Sequence, residues 1–247
     1  MMRVLRLLAV VPLLLAAAAA LAAPETTLAA AIPKTSAEMS PILRTVVLVT
    51  LLGLVPTLLI AMTSFTRIVI TLSFLRHALG MPETPPNAVL VTLAMILTLF
   101  TMAPVTERAR ADGLQPWLDG KVTLEAAAPR ALAPFKAFML DHAREEDLEA
   151  MRELAHAPEP KAVADTPMTV LLPAFMLSEL RAAFIAGFMI FLPFLLIDLV
   201  VATLLMALGM MMVPPVTISL PLKLLLFVMI DGWGLVVRAI ASSYAGA

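Results

Sequence analysis

Asp198, Lys223 and Asp231 are charges set in otherwise apolar stretches of the C-terminal part of the chain. A charge at the centre of a membrane helix costs roughly 2.5–3.5 kcal/mol on insertion scales, so all three are expected to face protein. Asp198 and Lys223 can pair across the last helical hairpin, or each can reach the interface by snorkelling; an aspartate is too short to snorkel far. Two aspartates in apolar segments also raise intramembrane proteolysis, in which two carboxylates share a proton. Asp231, however, is followed by Gly-Trp-Gly rather than preceded by the Gly-x-Gly of such proteases. A serine nucleophile fares no better, because no Gly-x-Ser-x-Gly occurs and the last histidine is His156. His77, His142 and His156 share no metal-ligand spacing, and there is no cysteine. Nothing resembles a phosphate loop or haem site. No enzyme, metal site or cofactor is expected.

Between Asp198 and Lys223 lies ALGMMMVPPV, residues 207–216. Successive helical residues are turned by roughly 100°, so Met210, Met211 and Met212 cannot share one face of a helix. Gly209 permits a turn out of the helix, and Pro214 and Pro215 prevent its continuation. From the residues alone the methionines are either gap-filling side chains in a buried loop or the lining of a site.

The elements that must hold these residues are apolar helices. Of 247 residues, 61% are apolar and 14% charged, against about 45–50% and 25% in soluble domains. The mean hydropathy is +0.98, which makes this a membrane protein. A net charge of −1 gives no reason to expect nucleic acid. Residues 1–22 read as a signal peptide, with Arg3 and Arg6 before an apolar core and Ala20-Leu21-Ala22 at the cut. Residues 23–41 form a polar periplasmic tail.

Residues 42–106 form a first helical hairpin: 22 uncharged residues separate Arg44 from Arg67, and 23 separate Glu83 from Glu107. Crossings are expected at 43–66 and 88–105, with Arg67, Arg76 and His77 in a short cytoplasmic loop. Residues 107–167 hold 12 acidic against 8 basic residues, net −4. They read as a small helical periplasmic insertion, with a turn around Trp117 and one amphipathic helix from Pro134 to Ala157. Residues 168–247 form a second hairpin, with crossings at 183–206 and 217–240. Pro56, Pro104, Pro193 and Pro221 are expected to interrupt the four segments. Ala183 and Gly187 supply a small-xxx-small pair for close helix packing. Broken helices and internal charges that one subunit cannot bury imply one piece of an oligomer. An ion-coupled transporter is the rival reading, since intramembrane Asp and Lys mark ion paths; no internal repeat relates two halves.

Several motifs are individually specific. MTSFTRIVITLSFLRHALG (62–80), TPPNAVL (84–90), LQPWLDG (114–120), LLPAFMLSELRAAFIAGFMIFLPFLLIDLVVATLLMALGMMMVPP (171–215) and ISLPLKLLLFVMIDGW (218–233) resemble the FliP family of flagellar biosynthetic proteins, in the family's order. The resemblance implies an all-α membrane protein whose broken helical hairpins assemble into an oligomeric helical export gate. It implies a core subunit of the flagellar type III gate that passes unfolded flagellar proteins across the inner membrane. Homologous subunits serve virulence injectisomes, and the signal peptide fits the flagellar branch. The resemblance further implies several copies, about five, with export gate Q and R subunits and other export apparatus membrane subunits, in the basal body and the inner (cell) membrane. On it, Met210, Met211 and Met212 match the family's pore gasket, and Asp198 and Lys223 its buried charges. Much of the apolar sequence would sit raised toward the periplasm rather than at ordinary membrane depth.

Overall fold

The computed structural model describes residues 60–160, 162–210 and 212–245, with isolated helical positions 49, 53 and 57. The expected signal peptide 1–22, the tail 23–41, Pro56 and most of the expected crossing 43–66 lie outside the described residues, as does Met211. The chain divides at residues 55 and 56, and the second unit is described below. Its regular elements among the described residues are all helical.

Helix α1 (Phe65–Ala78) places Ile68, Leu72 and Leu75 on one buried stripe, the spacing of a helix face packed on a core. Arg67, Arg76 and His77, expected in a connecting loop, belong to this helix; Arg76 and His77 fall in its last turn, where cations meet the negative end of the helix dipole. Gly80, at φ +78°, turns the chain out of it. Arg76 then ties the corner, donating to the Pro85 carbonyl at 3.2 Å and to Asn87 Oδ1 at 2.6 Å. Helix α2 (Asn87–Thr101) returns antiparallel, its far end fixed by a 2.7 Å hydrogen bond between the Ser64 and Thr101 hydroxyls.

At Met102 the path bends by 59° into α3 (Ala103–Ala109), which has Pro104 in its first turn. A π-helical turn (Arg110–Leu114) and the short α4 (Gln115–Leu118) follow, so the segment around Trp117 is helical rather than a turn. Gly113 lets this turn touch α5 (Leu124–His142): a Cβ there would lie 2.6 Å from the Ala131 backbone nitrogen. The helix expected over 134–157 is two. Pro134 is internal to α5, and α6 (Glu145–Leu154) starts after two extended residues, Ala143 and Arg144. No glycine or proline marks that break; tertiary hydrogen bonds described below set it.

Helix α7 (Met168–Ala207) runs unbroken for 40 residues, roughly 60 Å, about twice the hydrocarbon thickness. Pro173 and Pro193, the second expected to interrupt a crossing, lie inside it. A proline in a helix costs about 3 kcal/mol, offset here by packing on both sides of it, with Gly187 buried before Pro193 and Phe194 buried after it. Helix α8 (Pro215–Met229) likewise contains Pro221. Helix α9 (Gly232–Ala245) leaves it at 64°, so the crossing expected over 217–240 is bent at Ile230–Asp231. Asp231 has φ +52°, and a Cβ on Gly232 would collide with the Phe227 ring. Among the described residues α7 alone is long and apolar enough to cross a membrane; α2 with α3–α4, and α8 with α9, qualify if each bent pair counts as one span.

Two apolar clusters result. One joins Leu72 and Leu75 of α1, Ala94 and Leu97 of α2, Phe194 of α7, Phe227 of α8 and Ile240 of α9. The other joins Met62, Met102, Phe138 and Met139 to Leu171 and Phe175 of α7. Tyr244 packs against both. Ala183 is fully buried, and a Cβ on Gly187 would lie 2.5 Å from the Phe74 ring, so this small-residue pair brings α7 onto α1. Gly187→Val is expected to cost about 1–3 kcal/mol by overpacking, read as a lower unfolding midpoint of the detergent-solubilised protein. Phe74→Ala in the same chain restores part of the loss; no restoration would show that the ring is not the obstacle.

Candidate functional site

Three polar clusters in the apolar interior tie distant helices together. The first is the Asp198–Lys223 pair. Lys223 Nζ lies 2.6 Å from Asp198 Oδ2 and also donates to the Ala78 carbonyl at 3.2 Å. The lysine is buried and the aspartate half-buried. Ala78 ends α1, where helical carbonyls lack intrahelical donors and the dipole is negative. One ammonium therefore satisfies a carboxylate of α7 and the C-terminus of α1, fastening three helices. The other carboxylate oxygen, Asp198 Oδ1, is buried without a hydrogen-bond partner among the described residues.

The second was not foreseen. Glu179 is fully buried in the first half of α7. Arg67 of α1 forks onto it, with Nε donating to Oε2 at 3.0 Å and Nη2 to Oε1. Tyr244 of α9 donates its hydroxyl to Oε2 at 2.7 Å, and the guanidinium carbon sits 4.3 Å above the Tyr244 ring centroid, a cation–π geometry. Bidentate pairing plus a third donor is what a desolvated carboxylate requires. The signal in the sequence was a lone glutamate in an apolar run; its partner lies 112 residues away.

The third place anchors the insertion. Ser178 Oγ lies 2.7 Å from Asp147 Oδ2 and accepts the Arg144 amide at 3.0 Å. Asp147, in the first turn of α6, is buried, and Arg181 lies 3.3 Å from Glu146 and 3.8 Å from Asp147. These bonds hold Arg144 extended and break α5 from α6.

Asp231, expected to face protein, is exposed in the single chain. It pairs with Arg238 at 3.0 Å, both side chains at least 70% exposed, so the surface charges compensate at a helix corner. The methionine loop begins with Gly209 at φ +74°. The Gly209 amide bonds the Met206 carbonyl at 3.1 Å and the Met210 amide bonds the Leu205 carbonyl at 2.9 Å, the paired closure of a Schellman motif. Pro214 precedes α8 and Pro215 occupies its first position, where a missing N–H costs nothing. Met210 is 43% and Met212 95% exposed. Among the described residues, no three acidic or histidine side chains converge as metal ligands do.

A long apolar helix, two bent helical pairs and charges sequestered between them define an all-helical membrane protein. The FliP family model matches residues 48–240; the chain belongs to the FliP family. It is 52% identical over 201 residues to the flagellar biosynthetic protein FliP of Pectobacterium carotovorum subsp. carotovorum, spanning 81% of this chain and 78% of that one. With the FliP of Bacillus subtilis (strain 168) it shares 47% identity over 206 residues, 83% of this chain and 93% of the other. With that of Caulobacter vibrioides the identity is 48% over 197 residues, 80% and 74%.

Breaking the Arg67–Glu179 pair strands a buried charge. Arg67→Ala and Glu179→Ala are each expected to cost about 3–5 kcal/mol, measured as loss of the folded, detergent-extracted protein. Replacing both with leucine recovers most of that; an equally damaged double variant would show that the pair is not the cause. Exchanging Asp198 and Lys223 has a different expected outcome. Lys223→Asp sets a carboxylate against the Ala78 carbonyl, so the exchange stays defective in assembly; full rescue would mean the Ala78 contact carries no weight.

Proposed function

We propose that this chain is a core subunit of the flagellar type III protein export gate, forming the channel through which unfolded flagellar proteins leave the cytoplasm. The observation that carries this reading, given the family, is the uncovered end of the molecule. Leu195, Leu199 and Leu204 of α7 and Val216, Leu225 and Val228 of α8 are all exposed in the single chain, on either side of the methionine loop. Neighbouring subunits can cover such surfaces. The proposed assembly is a homo-oligomer of about five copies with Q and R subunits and other export apparatus membrane subunits. It sits in the inner membrane at the flagellar basal body, with 107–167 on the periplasmic side. The family favours this over an injectisome subunit or an ion-coupled transporter.

In that assembly Met210, Met211 and Met212 of each copy form a collar around the export path. The collar must close against ions when idle and open around a chain whose side chains change at every step. Methionine is apolar, so a ring of it resists wetting as hydrophobic gates do. It has three rotatable bonds and no strong hydrogen-bonding group, so it reshapes without gripping one cargo residue. Gly209, Pro214 and Pro215 act as the fixed hinges at either side. Chemistry on the cargo is not part of the role.

Replacing all three methionines with alanine is expected to make the assembled gate leak small solutes while export continues. A sealed mutant gate would overturn the collar, and a chain that purifies only as a lone monomer would overturn the gate reading itself.

A further inference from the structure

The chain carries 17 methionines, and their thioethers differ in what they touch. Met62, Met102 and Met139 are sealed in the second apolar cluster. Met95, Met189 and Met229 are exposed on helices, each four residues from another exposed apolar side chain: Leu99, Ile185 and Leu225. Apolar stripes of that kind are covered by lipid or protein in a membrane. Met212 is the most exposed of the described methionines and belongs to no helix. Met210, also outside a helix, is exposed beside it.

Neither Met210 nor Met212 belongs to an apolar cluster. The loop is shaped by backbone hydrogen bonds from the Gly209 and Met210 amides and by Pro214 and Pro215. No sulfur takes part in those bonds. A change at the thioether therefore alters what the loop presents and leaves its backbone in place, whereas the same change at Met62 or Met139 sets a polar group in a core. Oxidation supplies such a change. The sulfur lone pair attacks one oxygen of a hydroperoxide, and the S–O bond forms as the O–O bond breaks. The proton on the attacked oxygen passes to the departing one, which leaves as an alcohol, or as water from hydrogen peroxide. Sulfur gives up two electrons and the peroxide takes them. The sulfoxide formed is polar where the thioether was apolar.

We propose that the methionine loop is a modification site, at which a hydroperoxide converts Met210 and Met212 to sulfoxides that wet the collar and open it to small solutes. A hydrophobic constriction stays shut because water leaves it. A sulfoxide oxygen gives that water a hydrogen-bond partner in every copy. The inference rests on the collar proposed above and adds the class of reagent that acts on it.

The chain has no cysteine, so thiol oxidation within it cannot confuse the test. The assembled gate is placed in lipid vesicles loaded with a small anionic dye and treated with hydrogen peroxide at a level that leaves its native mass unchanged. Met210 and Met212 are expected to gain one oxygen each, read by peptide mass, in step with loss of the dye. An oxidised loop in a gate that stays sealed would overturn the proposal, and so would leakage while the loop is unoxidised. Replacing Met210, Met211 and Met212 with leucine keeps apolar side chains of similar volume and removes the sulfur. That gate is expected to hold its dye under peroxide; equal leakage would show that the relevant sulfur lies elsewhere. Met212→Gln, which is polar and of similar length, is expected to leak with no peroxide present, and a sealed glutamine variant overturns the proposal too. The alanine-substituted gate separates the two readings. If it stays sealed, the collar itself fails; if it leaks while the oxidised gate does not, only the oxidation site fails.

Discussion

The buried carboxylate of Glu179 is the constraint around which the rest of the chain is arranged. Taking a carboxylate out of water costs several kcal/mol even after relaxation, and attraction to one cation repays this only when the geometry is good and further donors are present. Arg67 supplies the fork and Tyr244 the third donor, so α1 and the end of α9 are both committed to one point on α7. Tyr244 then does a second job with its ring. It lies 5.2 Å from His142 and 6.0 Å from Phe138, and it packs against both apolar clusters. The insertion and the helical body thus meet over a side chain whose position the ion pair dictates. Ser178, the preceding residue, is rotated by roughly 100° around the same helix and holds Arg144 and Asp147. Two adjacent residues therefore fix two different partners on two faces of α7.

That arrangement makes the molecule asymmetric along its longest helix. Most of the buried positions of α7 fall between Val170 and Gly187, and only Phe194, Val201 and Leu205 are buried beyond it. The far half is held by Phe194 in the cluster with Phe227 and by Lys223, which reaches from α8 to Asp198 and to the last carbonyl of α1. A lysine suits this position because its ammonium is a compact donor to several oxygens at once, on a stem long enough to cross an interhelical gap. One end of the subunit is cohesive in itself, and the other leaves its apolar faces exposed.

The sequence made the apolar helices, the insertion and the two charges flanking the methionines legible, because each is a local property of composition or spacing. Glu179 was not, since its meaning depends on Arg67 and Tyr244, which lie 112 and 65 residues away. The division of α5 from α6 was hidden for a related reason: the amphipathic pattern runs on, and the break is set by a serine on another helix. Prolines misled in the other direction. Pro193 read as an interruption, yet a single missing hydrogen bond does not outweigh the packing of a long helix against α1. Asp231 read as a membrane charge because it follows an apolar run. In the single chain its left-handed backbone, with Gly232 flush against Phe227, sets it on the outside of a corner.

The methionine loop shows what the local backbone leaves free. On one side the chain is closed by the Schellman pair at Gly209 and Met210, and on the other by Pro214 and Pro215 at the start of α8. Between them the Val213 amide bonds back to the Met210 carbonyl at 3.4 Å. The loop is therefore short and anchored at both ends, so adaptability there resides in side-chain torsions rather than in backbone excursions. Methionine is the apolar residue with the most such freedom. The collar proposed above would then change aperture by rotamer without unfolding a helix end.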